Sequence, residues 1–310
     1  MKLFSGTAHP SLSRDVAAIL RTKLAKVEVI RFGNSETKVT IQEDVKNEIC
    51  FVIQPTSNPT DTNLVELFFF CDALKRSGAK KIVGIIPWFG YAKQNIQHRK
   101  GECVSVNVVI EFLEKVGFHK VFTFDLHDEA SAGIFTIPFE NLSAFPLLGK
   151  EVLAYFKKNK IDSKNVAIVS PDQGAVEKIR IFGESFFGHT NFPEVVIEKE
   201  RDQNIPHKAK ALDLYGDVKG KIALIVDDMV VSGSTIEPAV ELCLKKGATK
   251  VYVAAVHHDF TKEAPARLQK TKLEKFFVTN TVKLRPEDKF LKLVEISVAP
   301  LIAQTIKSEK

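Results

Sequence analysis

The stretch Leu224–Ile236, LIVDDMVVSGSTI, joins a short apolar run to a pattern in which Ile236, Ala239, Val240, Cys243 and Leu244 recur at helical spacing. Between strand and helix lie Val231, Ser232, Gly233, Ser234 and Thr235. Pro238 falls in the first turn of the helix, where backbone donors have no internal partner and proline is tolerated. Gly233 permits backbone conformations closed to other residues, and the loop offers successive N–H groups and three hydroxyls to one point. The helix N-terminus adds its positive dipole end, so the loop is a phosphate cradle without a P-loop lysine. Asp227 and Asp228 close the strand, and adjacent carboxylates at a strand's carboxyl end accept hydrogen bonds from a vicinal diol. Cradle and diol acceptor, one short loop apart, match the reach of a ribose 5-phosphate. A solvated Asp-Asp turn before a capped helix is the plain alternative. The apolar strand before the pair and Ser-Gly-Ser-Thr after it favour the site.

Outward from this loop, the chain is written twice. DVKNEICFVIQ (Asp44–Gln54) is similar to DVKGKIALIVD (Asp217–Asp227), with matching apolar positions. Each run leads through a polar loop and a helical pattern to KRSGAKKIVGIIPW (Lys75–Trp88) or KKGATKVYVAAVHH (Lys245–His258). A glycine at a helix end followed by a β-rich apolar run is how a helix hands over to a buried parallel strand. The shared order and spacing indicate duplication. Further strands are expected at Val27–Ile30, Val121–Asp125, Val166–Ser170, Glu194–Glu198 and Phe276–Thr279, with helices at Val104–Val116 and Leu147–Lys157. Such alternation predicts an α/β protein with mainly parallel sheets. The domain boundary is expected near Asn141–Pro146, giving domains over 1–144 and 145–295, with the tail 296–310 returning to the first.

Bulk composition agrees. A chain of 310 residues is long for one core, and 45% hydrophobic with 26% charged residues is ordinary for a globular protein. The net charge of +6 is dispersed, which suits a site for several phosphates and shows no basic stripe for nucleic acid. Cys50, Cys71, Cys103 and Cys243 lie far apart without a CxxC, so buried reduced thiols are expected. MKLFSGTAHP lacks the apolar run of a signal peptide, and no run approaches the length of a membrane span. A cytoplasmic protein without membrane or nucleic-acid partners is expected.

The loop resembles the phosphoribosyl-diphosphate (PRPP) loop of type I phosphoribosyltransferases and PRPP synthetases. Similarity to the PRPP synthetase (ribose-phosphate diphosphokinase) family then extends along essentially the whole chain. RFGNSET (Arg31–Thr37) resembles the adenine-binding segment, and the resemblance implies that Phe32, Asn34 and Glu36 reach the ATP of a neighbouring subunit. PWFGYAKQN (Pro87–Asn95) resembles the ATP-contacting segment, with Lys93 and Gln94 as candidates. FDLHDE (Phe124–Glu129) carries His127, implied to serve ATP and metal, and SPDQGA (Ser170–Ala175) carries the metal-binding Asp172. EKERD (Glu198–Asp202) resembles the catalytic loop, with Lys199 and Arg201 as its cations. The resemblance thus implies two type I phosphoribosyltransferase-like domains, and transfer of the diphosphoryl group of ATP to ribose 5-phosphate. It also implies magnesium as cofactor, and a homo-oligomer with shared sites. Only the second copy keeps the sugar-phosphate loop, since Pro55–Thr60 stands in its place in the first. A non-catalytic associated subunit and a type I phosphoribosyltransferase are the competing readings.

The chain departs from the family pattern at several points. Val231 stands where members commonly have a third acid, Ser234 where they have glycine or cysteine, Lys93 for an arginine and Asn95 for an aspartate. The plant-type, phosphate-independent branch also lacks the third acid, and Ala175 again resembles that branch. Glu129, Ala132 and Ala299 depart from the residues that bind regulatory phosphate or ADP in the phosphate-activated branch. Inorganic phosphate is therefore expected not to be an essential activator, and ADP to inhibit by competing with ATP.

Overall fold

The two sequence copies fold into sheets of the same strand order. The computed structural model describes residues 1–201 and 209–309, apart from the side chains of 199–201 and 209–212. The chain divides into two units: Met1–Ser143 with Thr281–Lys283 and Ser297–Lys310, and Ala144–Asn280 with Leu284–Ile296.

The first unit runs β1 (Lys2–Ser5), α1 (Pro10–Ile19), β2 (Val27–Arg31), β3 (Thr37–Ile41), β4 (Ile49–Ile53), α2 (Thr60–Arg76), β5 (Lys81–Ile86), α3 (Ser105–Val116), β6 (Lys120–Phe124) and β7 (Phe139–Leu142). The second runs α4 (Phe145–Lys158), β8 (Val166–Ser170), α5 (Val176–Phe187), β9 (Glu194–Arg201), β10 (Ala209–Tyr215), β11 (Ile222–Val230), α6 (Ile236–Lys245), β12 (Lys250–His258), α7 (Ala264–Lys270), β13 (Phe276–Thr279) and β14 (Leu293–Ile296). The closing helix α8 (Ala299–Ser308) belongs to the first unit.

The first sheet has the order β1-β4-β5-β6-β7 and the second β10-β9-β8-β11-β12-β13-β14. Renumbered by copy, β1-β4-β5-β6-β7 corresponds to β8-β11-β12-β13-β14, all paired in parallel. Each copy places an antiparallel hairpin after its first helix. In the first unit β2–β3 forms a separate two-stranded ribbon, whereas β9–β10 joins the edge of the main sheet.

The parallel strands are buried because helices cover them. Every residue of β8 is buried, and Ala167, Val169, Ile225, Val253 and Phe276 pack in the second core with Val240 and Cys243 of α6. In the first core Val52 and Ile82 meet Leu67, Phe70 and Leu74 of α2. Helix ends follow the repeat: α2 and α6 each carry lysine in the last turn, where it suits the helix dipole. Gly78 and Gly247 then turn the chain with φ of +82° and +93°.

Three of the four cysteines are buried, and burial pushes the Cys50 thiol up to about 11 and those of Cys71 and Cys243 up to about 12. Cys103 departs from expectation: it is exposed, because it falls in the loop before α3, with Sγ 3.1 Å from Ser105 Oγ. Among the described residues no helix is long and apolar enough to cross a membrane.

Candidate functional site

In the second unit the acidic pair lies inside β11, which continues through Met229 and Val230 rather than closing at Asp228. The extension follows from β12, whose pairing with β11 runs on to Val230↔His258, while pairing with β8 ends at Ile225↔Val169. The pair therefore sits past the end of β8, at the carboxyl edge where α/β sheets bind ligands. Asp227 Oδ1 accepts from the backbone N–H of Asp228 at 2.9 Å. Asp228 is only 7% exposed, and Lys178 Nζ lies 3.1 Å from its Oδ2. A carboxylate so far from water needs a paired cation.

The cradle follows directly. Gly233 has φ +71°, and its carbonyl accepts from the N–H groups of Ile236 (3.1 Å) and Glu237 (3.2 Å) at the start of α6. Ser232 Oγ and Ser234 Oγ are 2.8 Å apart, and Ser234 N donates to Ser232 Oγ at 3.3 Å. Ser232, Ser234 and Thr235 are half-buried, as is Val231. Two residues that were not picked out in the sequence clamp the loop from outside. Thr261 N donates to Val231 O at 3.0 Å, and Arg267 Nη1 to Ser232 O at 3.3 Å. Leu268 packs beneath, so a Cβ on Gly233 would lie 3.2 Å from its Cδ2.

Asp172 follows β8, the neighbour of β11, with extended backbone ahead of a turn at Gln173–Ala175. A Cβ at Gly174 would stand in ordinary contact, 3.4 Å from Asp172 Oδ1. Lys178, on the first turn of α5, was missed. Its signal was a cation at a helix N-terminus, where the dipole disfavours positive charge unless a carboxylate answers it. Lys199 and Arg201 end β9, paired with Ala211 and Ala209 of β10; their side chains lie outside the described residues.

The remaining candidates lie in the first unit. Phe32, Asn34 and Glu36 form the tip of the β2–β3 hairpin, where Phe32 is 47% exposed and Asn34 Oδ1 accepts from Glu36 N at 3.2 Å. Lys93 and Gln94 are exposed, and Gln94 Oε1 accepts from Ser105 Oγ at 2.6 Å. His127 is exposed just beyond β6. Asn95 donates its amide to Asp128, the residue after His127, and so ties the Pro87–Asn95 segment to the FDLHDE segment. This bond accounts for one departure from the family pattern. An aspartate at 95 would set two carboxylates against each other; the asparagine supplies the donor. The first unit thus holds the segments expected to meet ATP, and the second those expected to hold the sugar phosphate.

Comparison with known proteins places the chain among proteins of one family. A model of the N-terminal domain of ribose phosphate pyrophosphokinase matches residues 1–117, and one of a phosphoribosyl synthetase-associated domain matches residues 190–309. The ribose-phosphate pyrophosphokinase of Caldanaerobacter subterraneus is 36% identical, covering 99% of this chain and 93% of its own length. That of Bacillus subtilis is 32% identical over the same shares. The phosphoribosylpyrophosphate synthetase of Mycobacterium smegmatis superposes with a TM-score of 0.89 at 33% identity, covering 99% of this chain and 98% of its own. The chain belongs to the ribose-phosphate pyrophosphokinase family.

Proposed function

We propose that this chain transfers the β,γ-diphosphoryl group of ATP to the C1 hydroxyl of ribose 5-phosphate, giving PRPP and AMP. The observation that carries the reading is the second-unit loop, where Asp227 and Asp228 precede a glycine-turned hydroxyl cradle at a helix N-terminus. Its counterpart in the first unit is the proline-bounded stretch Pro55–Thr60. Similarity over 99% of the chain to enzymes called ribose-phosphate pyrophosphokinase supports the same reaction.

In this reading the cradle Val231–Thr235 takes the 5-phosphate, and Asp227 and Asp228 accept the ribose diol. Phe32, Asn34, Glu36, Lys93, Gln94 and His127 hold ATP. The C1 hydroxyl oxygen attacks the β-phosphorus and gives up its proton to solvent, the bond from that phosphorus to the α,β-bridging oxygen breaks, and AMP leaves. Such chemistry depends on positioning and charge neutralisation more than on covalent help. Lys199 and Arg201 are assigned to the charge that develops on the transferring group.

Magnesium would be the cofactor, with Asp172 and His127 as the residues that would hold it. Of the two, Asp172 would supply the hard carboxylate oxygen that magnesium prefers. Among the described residues no three metal-ligating side chains gather, and an ion that keeps most of its waters needs none. When bound, magnesium neutralises triphosphate oxygens. The exposed Phe32 tip supports a homo-oligomer in which each hairpin serves a neighbour's site.

Incubation with ATP, magnesium and ribose 5-phosphate tests the proposal. AMP release that depends on the sugar phosphate and is lost in Lys199→Ala is the expected result. A phosphoribosyltransferase would act only with PRPP and a base, and a non-catalytic subunit would do neither.

A further inference from the structure

In the first unit the place of Asp227 is taken by Gln54, and the site that would hold a sugar is filled. Gln54 is fully buried; its Oε1 accepts from Ala8 N at 3.0 Å, and its Nε2 donates to Glu66 Oε1 at 3.0 Å. A Cβ on Gly6 would fall 2.1 Å from Gln54 Oε1, so the amide occupies the space above the strand ends. Glu66, on α2, is fully buried too. Its carboxylate also receives Thr7 N at 2.7 Å, Thr7 Oγ1 at 2.6 Å and Arg31 Nη2 at 2.7 Å. A charge taken this far from water persists only when it is paired and hydrogen-bonded.

Arg31 is where this network leaves the interior. It is the last residue of β2, its guanidinium also donates to Thr37 Oγ1 across the hairpin, and Phe32 at the tip follows directly. The ribbon has no main-sheet neighbour, and an isolated two-stranded hairpin is marginal in water. Val27, Val29, Val39 and Ile41 pack its base against the core. Such apolar contacts are non-directional and lie at the base of the ribbon, away from the tip. The ion pair to Glu66 is directional, and it lies at the foot of the tip.

The filled site reaches a second ATP-side segment. Thr56, just past Gln54, donates from Oγ1 to Trp88 O at 3.0 Å and accepts there from Gly90 N at 2.7 Å. A Cβ on Gly90 would meet Thr56 O at 2.6 Å, so loop and segment are in close contact.

We infer that the first copy's former sugar site has become an anchor, with Glu66, acting through Arg31, as the positioning residue for the Phe32–Glu36 tip. The kinetic part of the inference rests on the reading of that tip as the adenine-binding segment. The anchor itself can be tested without it.

The test is the double variant Arg31→Met/Glu66→Gln, which removes both charges together, beside Arg31→Lys, which keeps the charge without the planar fork. Backbone amide exchange is measured at Phe32, Ser35 and Glu36, with KM for each substrate. The double variant is expected to exchange at the tip about tenfold faster and to raise KM for ATP about tenfold, the worth of one charge-assisted hydrogen bond. KM for ribose 5-phosphate and kcat at saturating ATP stay within about twofold, since the tip acts only on ATP binding. Arg31→Lys falls between wild type and the double variant, and it decides the matter if the double variant fails to fold. Unchanged tip exchange in a folded variant overturns the anchor, as does an equal rise in both KM values. A wild-type protein that releases no AMP would defeat the proposed reaction, while tip exchange would still decide the anchor.

Discussion

Asp228 and Lys178 show how one ion pair can fix a carboxylate of the candidate site. Both side chains are largely buried, at 10% and 17% exposure, and the pair spans 3.1 Å. With Val231 in place of a third acid, Asp227 and Asp228 are the carboxylates of the loop, so the aim of Asp228 matters more. Lys178→Met is expected to raise KM for ribose 5-phosphate about tenfold and to lower the melting temperature, because it removes a cation paired with a buried carboxylate. KM for ATP should hold, and Lys178→Arg should restore much of the loss. Steady-state kinetics with both substrates check this, and equal effects on the two KM values would count against it. The residues Asp227 to Thr235 could be read from sequence because their chemistry is local: strand, acids, glycine and hydroxyls follow one another. Lys178, Arg267, Glu66 and the Asn95–Asp128 bond could not, because each meets a partner that only the fold brings near.

At the scale of elements, duplication was the legible fact, and the shared strand order reproduces it. The strands β1, β3, β7, β10 and β14 were not anticipated. They are short or half-exposed, as in Phe139–Leu142 and Leu293–Ile296, and lack the apolar runs that mark the central strands. The connection between β13 and β14 is held by Arg285 and Asp288, whose side chains make paired bonds of 2.8 Å. Arg285 also donates to Phe260 O at 3.2 Å. Burial pushes the Asp288 carboxyl up, but the bonds from the Arg285 side chain and backbone outweigh it and hold the group below the usual carboxylate range. A carboxyl depressed in the folded state adds stability above its unfolded pKa, about 3.9, and loses it as pH falls through the folded value. Wild-type melting temperature should therefore drop more steeply below about pH 4 than that of Asp288→Asn. The variant should melt lower at neutral pH, with the gap narrowing in acid. Thermal melts from pH 7 down to about pH 2.5 measure it, and a constant gap would refute the linkage.

At the scale of the whole molecule, the proposed reading divides the work between the two units: the second carries the loop assigned to the sugar phosphate, and in the first Gln54 and Pro55–Thr60 stand in its place. A hairpin that serves a neighbour makes a specific prediction. Phe32→Ala and Lys199→Ala, each impaired alone, should recover activity when dissociated and reassembled together, since some mixed sites then carry neither change. Recovery absent from reassembled mixtures would place both residues in the same subunit's site. Regulation is argued at this scale too. Glu129 is exposed at the start of the turn Glu129–Ile134, and a carboxylate there repels phosphate, while Ala299 is buried at the start of α8. Full activity is expected in phosphate-free buffer, with ADP competitive against ATP. Negligible activity that rises steeply with added phosphate would sink that expectation. The central claim is the transfer itself, and phosphorus NMR of the protein with ATP, magnesium and ribose 5-phosphate reads it most directly. AMP and a C1-linked diphosphate should appear in equal amounts, and Asp227→Asn/Asp228→Asn should slow both by about a hundredfold or more. ADP in place of AMP, or AMP without a sugar diphosphate, would contradict it.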